Sequence, residues 1–103
     1  MKSLSILILG KNQSILETVV RLVNSREDWT GEGICRVEDL EHKLQEKDFN
    51  ILLLGAGIDS TEEFGIRAMV NVTSPSTQII QHYGGGSGLL YNEIQAVLDR
   101  QEV

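Results

Sequence analysis

A three-layer α/β/α sandwich built on a parallel sheet is the fold class this sequence predicts, and three observations predict it. Two short, almost unbroken apolar runs, Leu4 to Leu9 and Phe49 to Leu54, each stop at a glycine. Such runs are too short for helices and typical of strands covered on both faces. Stretches with apolar residues at helical spacing alternate with them along the chain. Strands that alternate with helices in this way pair in parallel, because each crossover helix folds back over the sheet. At 103 residues, 41% of them apolar and 23% charged, the chain fits one domain, residues 1–103, with no second core. A chain of this size buries roughly two-thirds of its unfolded surface and needs no disulfide or metal staple.

The elements follow in order. Leu4 to Leu9 is the first strand. Ser14 stands three residues before Glu17, the spacing of a capping box, and Ile15, Leu16, Val19, Val20, Leu22 and Val23 recur at helical intervals, so a first helix is expected from about Ile15 to Val23. A weak edge strand is read around Gly31 to Cys35, where two glycines interrupt a short alternation. Val37, Leu40 and Leu44 then mark a solvated amphipathic helix. Phe49 to Leu54 is the most buried strand. Ser60 and Glu63 repeat the capping-box spacing ahead of a third helix through Phe64, Ile66, Met69 and Val70, in which Gly65 costs about 1 kcal/mol relative to alanine and which Pro75 ends. Thr77 to Tyr83 reads as a fourth strand, Gly84 to Gly88 as a loop, and Leu90, Ile94, Val97 and Leu98 as one face of a closing helix. With the two most apolar strands central and the weak one at an edge, the expected order is 2-1-3-4, the flavodoxin-like arrangement.

Charge and composition narrow the function. Nine Lys and Arg against fifteen Asp and Glu leave a net charge of −6, the reverse of a phosphate-backbone binder, so nucleic acid is not an expected partner. The longest purely apolar runs, Ile6 to Leu9 and Ile51 to Leu54, are far too short to span a membrane, and no signal peptide follows Lys2. A cytoplasmic location is expected, and Met1 at the start favours a free-standing protein. One cysteine, Cys35, closes no intrachain bridge and builds no cysteine-rich zinc site.

Ser5-Ile-Leu-Ile-Leu-Gly-Lys-Asn12, Phe49-Asn-Ile-Leu-Leu-Leu-Gly55 and the closing Gly88-Leu-Leu-Tyr-Asn-Glu-Ile-Gln-Ala-Val-Leu98 resemble the first strand and turn, the third strand, and the last helix of response-regulator receiver domains. The resemblance covers nearly the whole chain but lies in apolar patterning. It implies a role in two-component signal transduction, yet it fails at the reactive positions. Receivers bind Mg²⁺ through two acidic residues after strand one and accept a phosphoryl group on an Asp ending strand three. Here Gly10 and Lys11 stand at the acidic pair and Gly55 at the acceptor. Glycine carries no nucleophile, and Mg²⁺ needs carboxylate oxygens that this turn lacks. Gln81 or His82 replaces the switch Ser or Thr, and no Lys follows Lys47. The chain is also about one β/α unit short. The resemblance therefore implies a degenerate, phosphorylation-incompetent receiver-like domain, not an enzyme and without cofactor or metal, that acts by contact with a protein partner.

A second reading competes. In open parallel sheets ligands bind beyond the carboxyl ends of the strands, and all three turns there carry glycine. Lys11, Asn12, Gly57, Gly85, Gly86 and Ser87 are thus candidates for holding a phosphate, a carboxylate or a nucleotide, although tight turns favour glycine anyway. The glycine cluster matches no nucleotide-binding fingerprint. A third reading makes the domain an oligomerising unit, such as a homodimer, through the exposed face of helix three or four. Among single residues, His82 is either a general base or a structural or solvent-facing histidine, His42 is solvated, Cys35 is a small packing residue unless a cationic neighbour makes it a nucleophile, and Asp59, Glu62 and Glu63 complement a helix dipole, with metal binding as the lesser reading. Trp29 is either a partner surface or the cap of an edge strand.

Overall fold

The computed structural model describes residues 4–55 and 57–81. Within them, β1 (Leu4–Leu9), α1 (Gln13–Asn24), β2 (Trp29–Ile34), a 3-10 turn (Val37–Asp39), α2 (Leu40–Glu46), β3 (Ile51–Leu54), α3 (Ser60–Thr73) and β4 (Gln78–Gln81) follow one another. The four strands form one all-parallel sheet in the order β2-β1-β3-β4. This is the predicted architecture, with the apolar strands β1 and β3 in the middle. The expected loop after β4, the closing helix and His82 lie outside the described residues.

Alternation along each strand sorts the core into two layers, since successive side chains leave a strand on opposite faces. Leu4, Ile6, Ile8, Ile51, Leu53 and Ile80 meet Leu16, Val19 and Val23 of α1 on one face. Leu7, Leu9, Ile34, Leu52 and Leu54 meet Leu40 and Leu44 of α2 and Ile66 and Val70 of α3 on the other. Helices cover both faces, so the central strands read as unbroken apolar runs.

Several boundaries differ from expectation. Strand β2 runs from Trp29 to Ile34 rather than from Gly31 to Cys35. Trp29 is a buried core residue that begins the strand, and Cys35 is exposed beyond its end, so the cysteine is not a packing residue. The cap of α1 is Asn12, whose side chain accepts from the Ile15 amide at 3.1 Å, while Ser14 lies inside the helix. Both are capping residue types, and the earlier one is used because the helix starts as the chain leaves the sheet, which lays Leu16 against Gly10. In α3 the capping box is formed by Asp59 and Glu62, one residue before the expected pair. A carboxylate at that end opposes the helix dipole with a full charge, which a serine hydroxyl does not. The chain at Val37 makes a 3-10 turn before α2, β3 begins at Ile51 rather than Phe49, and β4 begins at Gln78 rather than Thr77.

The outer edge of β2 is closed by a side chain. Asn24, at the end of α1, donates to the Gly31 carbonyl at 3.1 Å and accepts from the Gly31 amide at 2.9 Å, as a neighbouring strand would. The Trp29 amide is taken up by the Arg26 carbonyl. Exposed strand edges invite unwanted pairing, and this arrangement blunts one. Asn24→Ala should lower unfolding free energy by about 1–3 kcal/mol, because two backbone groups lose their partners. Asn24→Asp should recover only part of the loss, since it can accept but not donate; equal urea midpoints for the alanine variant and the parent would contradict this.

Candidate functional site

The carboxyl ends of β1 and β3 are drawn together by backbone bonds that continue past the strands. The Gly10 amide donates to the Ile34 carbonyl at 3.1 Å, and the Gly55 amide to the Leu9 carbonyl at 2.8 Å. Gly10 and Gly55 therefore lie side by side, close enough that a Cβ on Gly55 would sit 3.6 Å from the Gly10 Cα and 3.3 Å from the Leu9 carbonyl oxygen. Gly10 has ordinary room for a side chain, its nearest neighbour being Leu16 at 3.8 Å. Gly57 has a φ of 93°, a left-handed conformation that favours glycine, and a Cβ there would meet the Lys11 Cβ at 3.2 Å. The two turns thus pack against each other across the mouth of the sheet.

Lys11 is the cation of this mouth, and it is already occupied. Its Nζ lies 2.6 Å from both carboxylate oxygens of Glu62. Glu62 is held in place by the cap of α3: its amide donates to the Asp59 carboxylate at 2.8 Å, and its own carboxylate accepts from the Asp59 amide at 3.3 Å. A residue in the first turn of α3 therefore supplies the counter-ion of a residue in the turn after β1. The hydrogen bond to Glu62 holds the Lys11 ammonium above its ordinary pKa; desolvation opposes it, and the negative charges of Glu62, Asp59 and Glu38 add smaller upward pushes. Glu62→Gln should bring the Lys11 titration, followed by ¹³C NMR at Cε, back down toward that of a free lysine. An unchanged titration would show that the pair does not persist in solution.

Of the residues proposed for anion binding, the structure brings Lys11 and Gly57 together, commits the side chain of Asn12 to capping α1, and leaves Gly85, Gly86 and Ser87 outside the described residues. Glu62, which sequence reading assigned to the helix dipole or, as a lesser reading, to a metal ion, was not foreseen as the partner of Lys11; the two are 51 positions apart, and no spacing rule reports such a pair. The remaining candidates are dispersed. Glu63 pairs with Arg67 at 2.7 Å, and His42, exposed on α2, with Glu46 at 3.1 Å. Glu32 of β2 is gripped by Lys47 at 2.8 Å and Lys43 at 3.1 Å, and these hydrogen bonds, that of Lys47 first, hold its carboxyl below the usual carboxylate range. Among the described residues no group of three or more His, Cys, Asp or Glu is arranged to hold a metal ion, and no helix is long and apolar enough to cross a membrane.

No protein-family model matches the sequence, and no curated protein does. The fold does have a relative among solved structures. The chain is similar to a pilus assembly-related protein from Burkholderia pseudomallei, with a TM-score of 0.62 and 20% identity over 90% of this chain and 72% of the other. A likeness at that identity is one of fold.

Proposed function

We propose that this chain is a receiver-like domain without phosphoryl chemistry, one that works in the cytoplasm by contact with another protein, in two-component-type signalling or in assembly work of the kind its structural neighbour is named for. One observation carries the reading. At the mouth where a receiver gathers carboxylates around Mg²⁺, this chain sets Gly10 and Gly55 side by side, with the next residue, Lys11, bound through its ammonium to Glu62. The Glu62 carboxylate is taken up by that ammonium rather than left for a divalent cation, and neither glycine carries a side-chain oxygen to phosphorylate. The ion pair between the first turn and α3 also supports a single standing conformation of the mouth, in place of a state that waits for a phosphoryl group.

Incubation with a small phosphodonor and Mg²⁺, followed by intact-mass spectrometry, tests the reading. No gain of about 80 Da, the mass of one phosphoryl group, is expected. A stable adduct on an acidic side chain would overturn it. A rise in melting temperature with inorganic phosphate, lost in Lys11→Glu, would favour a small-anion module in its place.

A further inference from the structure

The outward side of α3 is unlike that of the other helices. At about 100° per residue, Thr61, Phe64, Gly65, Ala68, Asn71 and Val72 fall opposite the buried Ile66 and Val70, and all six are exposed. None of these six carries a charge; the exposed Arg67 stands at their edge, on the groove side, paired with Glu63. The exposed positions of α1 include Glu17 and Arg21, and those of α2 include Glu41, His42 and Glu46. Phe64 is 78% exposed and Val72 84%. Large apolar side chains so placed on one helix of a small protein mark a contact surface. Beside Phe64 an open groove of about 460 Å³ runs between α3 and β4, with Ala68, Asn71 and Ile79 on its walls. A protruding aromatic ring and a recess that can take one therefore share one surface.

Charge selects the occupant. The chain carries a net −6, so two copies repel over most of their surface, and the uncharged face of α3 is where they can approach. On the groove side of that face stand one acid and one base, Glu63 and Arg67, one helical turn apart. The order is self-complementary when a second helix runs antiparallel: with a two-fold axis level with residue 65, Glu63 of each copy faces Arg67 of the other. A ring at Phe64 then lies between Phe64 and Ala68 of the partner, over its groove. A two-fold contact of this kind uses the same patch on both copies, which is what an interface between identical chains requires.

We infer that the partner seated on α3 is a second copy of this chain, packed antiparallel through Phe64 and the groove beside it and held in register by Glu63 and Arg67. The inference rests on the reading of the domain as a contact module and names a surface and a partner for it. Sedimentation equilibrium of the full chain, from micromolar to near-millimolar concentration, tests it. A dimer is expected. Phe64→Glu should weaken it about thirtyfold or more, as loss of a central aromatic anchor does, while leaving the melting temperature of the monomer in place. Arg67→Glu should weaken it by setting two acids against two acids. The double exchange Glu63→Arg with Arg67→Glu should restore it, because the reversed order is again self-complementary. A monomer at every concentration would overturn the inference, as would a dimer indifferent to Phe64→Glu or a charge exchange that fails to rescue. Those results leave the phosphodonor experiment untouched. A stable phosphoryl adduct in that experiment would remove the contact-module reading even if the dimer were found.

Discussion

Leu53→Ala is expected to lower the free energy of unfolding by about 2–5 kcal/mol, the range for removing a large side chain from a core that cannot collapse around the gap. Leu53 is fully buried. It sits on the central strand β3, level with Ile8 of β1 on one side and Ile80 of β4 on the other, and faces the layer formed by Leu16 and Val19 of α1. Neighbouring strands are held by backbone hydrogen bonds and cannot close on the cavity. Total stability in a domain of this size is about 5–15 kcal/mol, so one substitution removes a large fraction of it. The thermal midpoint should fall by roughly 10 °C or more, read by calorimetry or circular dichroism. Phe64→Ala, by contrast, truncates a side chain that is mostly in water and should stay within about 0.5 kcal/mol of the parent in the monomer. Equal losses for the two would contradict the division into core and surface described above.

Gly31→Ala and Gly65→Ala are expected to move stability in opposite directions. A Cβ on Gly31 would lie 2.8 Å from Cγ1 and 3.2 Å from Cβ of Val23, and 3.3 Å from Cδ1 of Ile8. Val23 is fully buried, and its β-branched side chain has essentially one rotamer in a helix, so it cannot swing aside. Either α1 lifts from the sheet or β2 bends, at a cost of about 1–3 kcal/mol. The smaller flexibility of the unfolded alanine chain returns at most about 1 kcal/mol of that. Gly33 faces the same helix, with Val20 and Leu16 in the same positions of close approach, so the two glycines together let α1 settle onto β2. At Gly65, on the outward side of α3, nothing lies within 4 Å of the added carbon. Alanine there should raise stability by about 0.5–1 kcal/mol through helix propensity alone. Chemical denaturation of both variants checks the signs, and a stabilising Gly31→Ala would show that α1 does not pack as closely as described.

Glycines that look alike along the chain thus differ in kind, and that difference marks how far a sequence can be read. The two in β2 looked like features of a weak edge strand, whereas their role is to admit a helix. The strands and their order were legible, because a parallel sheet covered on both faces demands runs such as Ile51 to Leu54 that no other element of so short a length would carry. The starts of α1 and α3 were legible to within one or two residues, while α2 begins three residues after Val37, behind a 3-10 turn. Where two capping residues stand close together, as Asn12 and Ser14 or Asp59 and Ser60 do, the choice belongs to whichever one the packed helix presents to its free amides. The candidate site was half legible. Gly10, Lys11 and Gly55 were named from the receiver resemblance; Gly10 and Gly55 lie side by side, and Lys11 packs against Gly57. Glu62 was not foreseen as the partner of Lys11, because its role depends on the approach of α3 to the first turn.

From its pattern of apolar and polar residues alone, this chain settled that its described residues form a four-stranded parallel α/β sandwich with β1 and β3 inside, since hydrophobic periodicity acts locally and dictates which faces are buried. Its net charge and its glycines at the strand ends were equally plain in the sequence. Tertiary structure alone decided that Lys11 is neutralised by Glu62, that Asn24 stands in for a missing strand beside Gly31, and that the outward side of α3 leaves Phe64 and Val72 exposed. These are contacts between segments far apart in the chain, or absences of contact, and both exist only once the layers have come together.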